Sequence, residues 1–578
     1  MTYSLNLGVM KAALPARAAG GKEQFRLAIL GDFSGRALSG KLETGADLAK
    51  RKPLSVDVDN LDDVLARMGI KLMLPVGAGG GAVEIAIGSM DDFHPDQLYD
   101  NVEVFSGIAG LRGRLKTTST FAKAAAEVQS WLGMKPEEGA TVAIKSRGSA
   151  VPADCKLSDF AQLTGQARAT EETPINELLK QVVGPHIVPA KDPKQDKLLA
   201  AVDAALSETM RSILHHPDFQ ALESAWRSVE FLVRRLETGS SFKIVLYDIS
   251  AEEMAADLSS ASDLSETGLF KLLVEQPALD AQQGPLSALV SNYFFEQTPP
   301  HADLLGRLAR IAAAAQAPFL AAIGVDALKK LKDEEIHPLV LESWSALRSL
   351  PESVYVGLTV PRFMLRNPYG EKTDPIDKFD FEEFSAREGI RGMLWGSGTI
   401  LAGLFLGQTF LKAGAMKKMS LGSILSVNEM PYYYFTDADG DQVALPCTER
   451  LVSVDLSTHV TKQCFMPILA IKGKPEVRLG GFQSLLGKPL AGPWAPVVIT
   501  PSGVAAPAAA PAAEAAPAAV EAPAPAPEAA AAADAELDAL LASLGGGDTA
   551  PAPAAAPAAD AGGAEEMDPA LAALLADL

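Results

Sequence analysis

No lysine, arginine or histidine occurs between Pro501 and Leu578. The same stretch carries Glu514, Glu521, Glu528, Asp534, Glu536, Asp538, Asp548, Asp560, Glu565, Glu566, Asp568 and Asp577. These twelve acids supply more than half of the formal net charge of -21. Wrapping nucleic acid needs clustered cations, so a nucleic-acid partner is excluded. Cysteine is also scarce. Cys155, Cys447 and Cys464 are too few and too scattered for a disulfide framework or a zinc site, and a reducing compartment is expected. The first residues, MTYSLNLGVMKAALPARAAGGKE, lack the apolar core of a signal peptide, so the expected location is the cytoplasm.

Catalytic patterns are missing as well. Gly79-Gly80-Gly81 is not followed by the Lys-Ser/Thr of a phosphate loop, and no GxGxxG opens a helix after a strand. The segment Tyr369 to Asp374 lacks the upstream glycine of a nucleotide loop, and no nucleophile elbow is present. His215 and His216 are adjacent, so a regular helix points them to different faces and they cannot share a metal. Standing before Pro217, they are expected to serve the last carbonyls of a helix. Ser89, Asp91, Asp92 and His94 are sequence neighbours, which suits turn and cap duty better than a triad assembled from separate elements. No catalytic, cofactor-binding or metal-binding residue is expected, and the chain is not read as an enzyme.

One run lacks charge altogether. Met393 to Leu411 spans nineteen uncharged residues, with Gly403 and Gly407 at small-xxx-small spacing. It also holds Ser397, Thr399, Gln408 and Thr409, and no second such run exists. A buried helix in a large domain is therefore expected in preference to a membrane span.

What is present has α/β character: mixed sheets with packed helices. Residues 1–24 read as an arm. Residues 25–133 form a first block. FRLAIL is an apolar strand ending at the Gly31-Asp32 turn signal, and a helix starts near Asn60 with Asp62 and Asp63 in its first turn. KLMLPV and AVEIAI are short strands around the glycine run. A helix follows Pro95, with Leu98, Val102, Phe105, Ile108 and Leu111 at helical spacing. Residues 134–172 read as a linker. Residues 173–494 form a larger block, in which Pro217 separates two helices and strand and helix signals then alternate. From 495 to 578 the composition collapses to Ala, Pro and acids, which cannot build a core and reads as a disordered tail.

Two segments of that tail share the pattern Leu-x-x-Leu-Leu-Ala-x-Leu: Leu537, Leu540, Leu541 and Leu544, then Leu571, Leu574, Leu575 and Leu578. The leucines fall on one helical stripe. Short amphipathic stripes on an acidic tether suit docking into a partner's groove. The competing reading is biased composition.

Several segments resemble parts of one known machine. LGDFSG (Leu30 to Gly35), VDVDNLDDVLARM (Val56 to Met68) and SMDDFHPDQL (Ser89 to Leu98) resemble the small sheath subunit of type VI secretion. ILHHPDFQALESAWRSVEFLV (Ile213 to Val233), FKIVLYDIS (Phe242 to Ser250), the stretch Pro285 to Ile323, VGLTVPRFMLRNPYGEKTDPIDKFDFEEF (Val356 to Phe384) and MLWGSG (Met393 to Gly398) resemble the large one, in order. The resemblance implies a contractile sheath. Its protomers stack helically around an inner tube on a baseplate, near the inner membrane, and a AAA+ ATPase dismantles them. It also implies self-association or association with other sheath subunits, no cofactor, and a further folded region after Gln463 to Gly473. In this sequence the Ala/Pro tail follows instead. That departure keeps a second role open: an adaptor or end component docking a baseplate, ATPase or membrane-complex partner through its tail.

Overall fold

The structure, a computed structural model, describes residues 6–10, 24–76, 81–131, 195–329, 336–385, 389–436, 440–497 and 499. Phe25–Gly31 (β1) is buried at every residue. A strand covered on both faces reads as a continuous apolar run, and FRLAILG is such a run. The remaining strands are Leu54–Val56 (β2), Ile70–Val76 (β3), Gly81–Ile87 (β4), Phe242–Asp248 (β5), Ala288–Phe295 (β6), Phe319–Ile323 (β7), Val356–Val360 (β8), Phe363–Met364 (β9), Trp395–Gly396 (β10), Ser426–Asn428 (β11), Tyr433–Thr436 (β12), Gln442–Leu445 (β13), Met466–Ala470 (β14) and Glu476–Leu479 (β15).

Nine of them form one sheet, in the order β11-β15-β14-β8-β7-β6-β1-β5-β2. The centre is parallel and both edges are antiparallel. The strand of the first sequence block thus lies inside the sheet of the second. β1 runs in register with β5 from Phe25↔Phe242 to Gly31↔Asp248, and with β6 from Leu27↔Ala288 to Leu30↔Ser291. Alternate residues of these strands face opposite layers. Leu27, Ile29, Ile244 and Val290 enter one core, whereas Ala28, Leu30, Val245 and Leu289 enter the other.

The helices used below are Leu61–Met68 (α1), Pro95–Asn101 (α2), Glu103–Lys116 (α3), Gln195–Leu214 (α4), Pro217–Val233 (α5), Ala251–Ser260 (α6), Pro299–Ala315 (α7), Pro338–Ser349 (α8) and Gly398–Ala413 (α9). The cores assign them to faces: α4, α5 and α9 bury their apolar sides with Leu27, and α6, α7 and α8 with Ala28. The mixed α/β class expected from the sequence is the fold observed.

The charge-free run becomes α9, whose residues from Gly398 to Gly407 are all buried. Its glycines serve close packing. A Cβ on Gly403 would stand 3.0 Å from Val290 of β6, and one on Gly407 would stand 2.8 Å from Leu236. No described helix is long and apolar enough to cross a membrane.

Two expectations change in detail. The helix after Pro95 is broken at Val102, which is extended (φ -95°, ψ 123°) and buried, so α2 and α3 are separate. The side chain keeps the apolar spacing while the backbone turns. His216 does sit at a helix end, but at the start of the next helix: its Nδ1 accepts from the Asp218 N–H at 3.3 Å. The backbone N–H of His216 closes α4 by donating to the Ile213 carbonyl at 3.1 Å. Ser89 and His94 take the turn and cap duties read from the sequence: Ser89 forms a capping box with Asp92, and His94 caps α2.

Candidate functional site

The end of β5 and the helix after it present three carboxylates to the first block. Asp248 closes β5. Ser250-Ala251-Glu252-Glu253 spells a capping box, and the Ser250 hydroxyl and Glu253 carboxylate each take the other's backbone N–H. Glu253 and Asp257 stand four residues apart on α6, hence on one face.

Each carboxylate holds backbone or side chains of residues 33–51. Asp248 accepts from the Phe33 N–H at 2.8 Å, the Ser34 N–H at 3.1 Å and the Ser34 hydroxyl at 2.6 Å. Glu253 is fully buried and takes Arg36 Nε at 3.0 Å on both oxygens, two Arg51 nitrogens at 2.9 Å, and the Glu43 N–H at 3.1 Å. Asp257 accepts from the Gly45 N–H at 2.6 Å and, within its own block, from Gly268 and Leu269 at 3.0 and 2.8 Å. From the other side the Trp226 indole donates to the Phe33 carbonyl at 2.9 Å. The LGDFSG turn is thus gripped by residues of the FKIVLYDIS and LESAWRSVEF segments.

The charges are tuned by this packing. Burial, reinforced by the nearby Asp248, pushes Asp32 up to about 7, although the Ala37 and Arg36 N–H groups donate to it. Burial also raises Asp248 and Asp257 despite their donors. Burial alone would raise Glu253 too, but hydrogen bonds and charge from Arg51 and Arg36 outweigh it and hold that carboxyl low.

A second network fixes the irregular segment after β9. Arg366 lies between two buried carboxylates, bonding Glu223 of α5 at 2.7 and 3.1 Å and Glu383 at 2.7 and 3.1 Å. Arg227 also reaches Glu223 at 2.7 Å, and the Tyr369 ring lies 4.1 Å under the Arg366 guanidinium. Burial opposes the charge on Glu383, yet Arg366 and His215 bring it down to about 2. The far end of the segment crosses to the first block. Asp96 at the start of α2 accepts from the N–H groups of Asp377 and Lys378 at 3.2 Å each, and Phe379 stacks on Tyr99 at 5.4 Å.

A third tie is made by residues 6–10. Val9 bridges Asp263, and Arg307 of α7 donates to the Asn6 carbonyl at 2.9 Å.

Sequence reasoning singled out the LGDFSG turn but not its partners Glu253, Asp257, Arg36 and Arg51, nor the Glu223-Arg366-Glu383 set. Only the capping box at Ser250 signalled any of them. The leucines expected to dock a partner, Leu537, Leu540, Leu541, Leu544, Leu571, Leu574, Leu575 and Leu578, and the expected 134–172 linker lie outside the described residues. Among the described residues no group of three or more His, Cys, Asp or Glu is placed to hold a metal. What the arrangement can do is mechanical: it locks two long sequence blocks together.

Two stretches of the chain match known families. Residues 196–486 match the VipB family, the EvpB tail sheath N-terminal domain. Residues 22–134 match the VipA family of the type VI secretion system. The chain is 31% identical over 345 residues to the type VI secretion system sheath protein TssC1 of Pseudomonas aeruginosa, covering 57% of this chain and 69% of that protein. With a small-subunit and a large-subunit sheath domain in one polypeptide, the chain belongs to the type VI secretion sheath family.

Proposed function

We propose that the protein is a structural subunit of the contractile sheath of a phage-tail-like injection apparatus and works without an active site. The observation that carries this is β1, the first block's strand, set parallel between β5 and β6 of the second. Parts normally supplied by two partners stand in one chain, with fixed one-to-one stoichiometry and a high effective concentration. Copies joined by heterologous contacts build an open helix. In this reading the extended helix is metastable, and its contraction drives an inner tube outward from a baseplate. Disassembly then falls to a AAA+ ATPase, and assembly takes place in the cytoplasm near the inner membrane. The test is electron microscopy of the purified protein with the inner-tube component. Tubes are the expected outcome; discrete monomers or dimers under all conditions overturn it.

A second reading rests on the twelve tail acids and the two leucine stripes. In it the tail docks a baseplate, ATPase or membrane-complex partner. Deleting residues 503–578 then removes one protein from a pull-down while the melting temperature stays put. An unchanged partner list refutes it.

A further inference from the structure

We propose that the cavity at the C-terminal ends of β6, β7 and β8 binds an uncharged, planar ligand through an amide group. In open α/β sheets this end of the parallel strands is where ligands sit. The cavity measures about 670 Å³, within the range of small-molecule sites. Its lining sets Ala221 of α5, Ile323 of β7, Pro361 and Trp395 among polar side chains such as Gln220 and Gln297.

The lining includes one residue that the fold does not explain. Asn292 is 6% exposed and lies on the β6 face that carries Ala288 and Val290 into the core. Neither its Nδ2 nor its Oδ1 has a hydrogen-bond partner among the described residues. Buried amides are seldom left so, because water is given up with nothing in return. The Thr298 hydroxyl, also lining the cavity, is buried without a partner too. An Asn side chain offers one donor and one acceptor side by side, the complement of another amide.

The cations lining the cavity are already engaged. Arg362 places Nε 2.8 Å from Glu449 and its second nitrogen on the other oxygen. Asp326 pairs with Lys329 at 3.2 Å, and Arg391 is engaged as well. A phosphorylated or otherwise anionic ligand finds no free cation there, whereas a planar amide complements both Asn292 atoms.

Saturation-transfer NMR on the full chain tests this with three probes: nicotinamide, benzoate of nearly the same shape, and N-acetylalanine methylamide. Nicotinamide or the capped residue is expected to bind, and benzoate at least about tenfold more weakly, the loss of one to two hydrogen bonds. The tighter of the two amides tells whether the ligand is a small carboxamide or a peptide segment. Asn292→Leu is expected to abolish amide binding while leaving the melting temperature equal or higher. If that variant fails to fold, Ala221→Leu, which fills the cavity from α5, is expected to abolish binding instead. Equal binding of benzoate, absence of amide binding, or undiminished binding in the folded variant overturns the proposal.

Discussion

Asp257 shows what a single buried side chain holds. Its carboxylate satisfies three backbone N–H groups, one of them in the other sequence block. Asp257→Ala leaves those donors buried and unpaired, at roughly 1–3 kcal/mol each. Urea denaturation is expected to show a loss of about 3 kcal/mol or more, with Asp257→Asn losing less. The buried acids also give stability a pH dependence with two opposite signs. Glu383 is held at about 2, below its ordinary 4.5, so its contribution is complete above the ordinary value and is lost as pH falls toward about 2. Asp32 is raised from 3.8 to about 7, so its contribution is complete below 3.8 and is lost as pH rises through about 7. The unfolding midpoint is therefore expected to drop between about pH 4.5 and about pH 7 and to level off above that, and Asp32→Asn to flatten the drop. Breaking the other network is harsher. Glu383→Ala leaves Arg366 buried with half its partners, and a loss of about 3–5 kcal/mol is expected by the same denaturation measurement.

Single elements were the most legible part of the sequence. FRLAIL, the helix after Asn60, the KLMLPV/AVEIAI hairpin and the two helices around Pro217 all follow from periodicity and punctuation. Helix starts were legible only in part. Three begin at a His-Pro pair, with Nδ1 of His94, His216 and His337 accepting the N–H two residues on, at 3.2, 3.3 and 3.3 Å. His is not an ordinary cap, so at His216 local rules pointed to the preceding helix end. His216→Ala is expected to cost about 1 kcal/mol, with His216→Asn restoring most of it in thermal melts. For α9, hydropathy could not separate a bilayer from a core, because both reward an all-round apolar helix. The deciding contact is Gly407 against Leu236 and Phe242. Gly407→Val is expected to cost about 1–3 kcal/mol by overpacking, again read by denaturation.

At the scale of the molecule, the shared sheet was not legible. The pattern of β1 marks it as doubly covered, but nothing local names its neighbours. Its partners lie at Phe242 and Ala288, far along the chain, and register across such a gap is set by packing rather than propensity. The carboxylate grip was hidden for the same reason, since Asp248, Glu253 and Asp257 acquire meaning only once β1 is beside β5. A protease site inserted between Trp131 and Gln195 gives a direct check. After cleavage, the two pieces are expected to co-elute in size-exclusion chromatography and to separate only in denaturant.

The buried position of β1 also sets a timetable for synthesis. Phe25 is made first and its partner Phe242 only 217 residues later. At about 5–20 residues per second that interval is on the order of ten to forty seconds. Throughout it an apolar strand with two unpaired edges is available to any other nascent chain. Joining the blocks in one polypeptide secures their stoichiometry but does not shorten this wait. The yield of native protein in the cell is thus expected to depend on what shields seven residues, FRLAILG, on a growing chain.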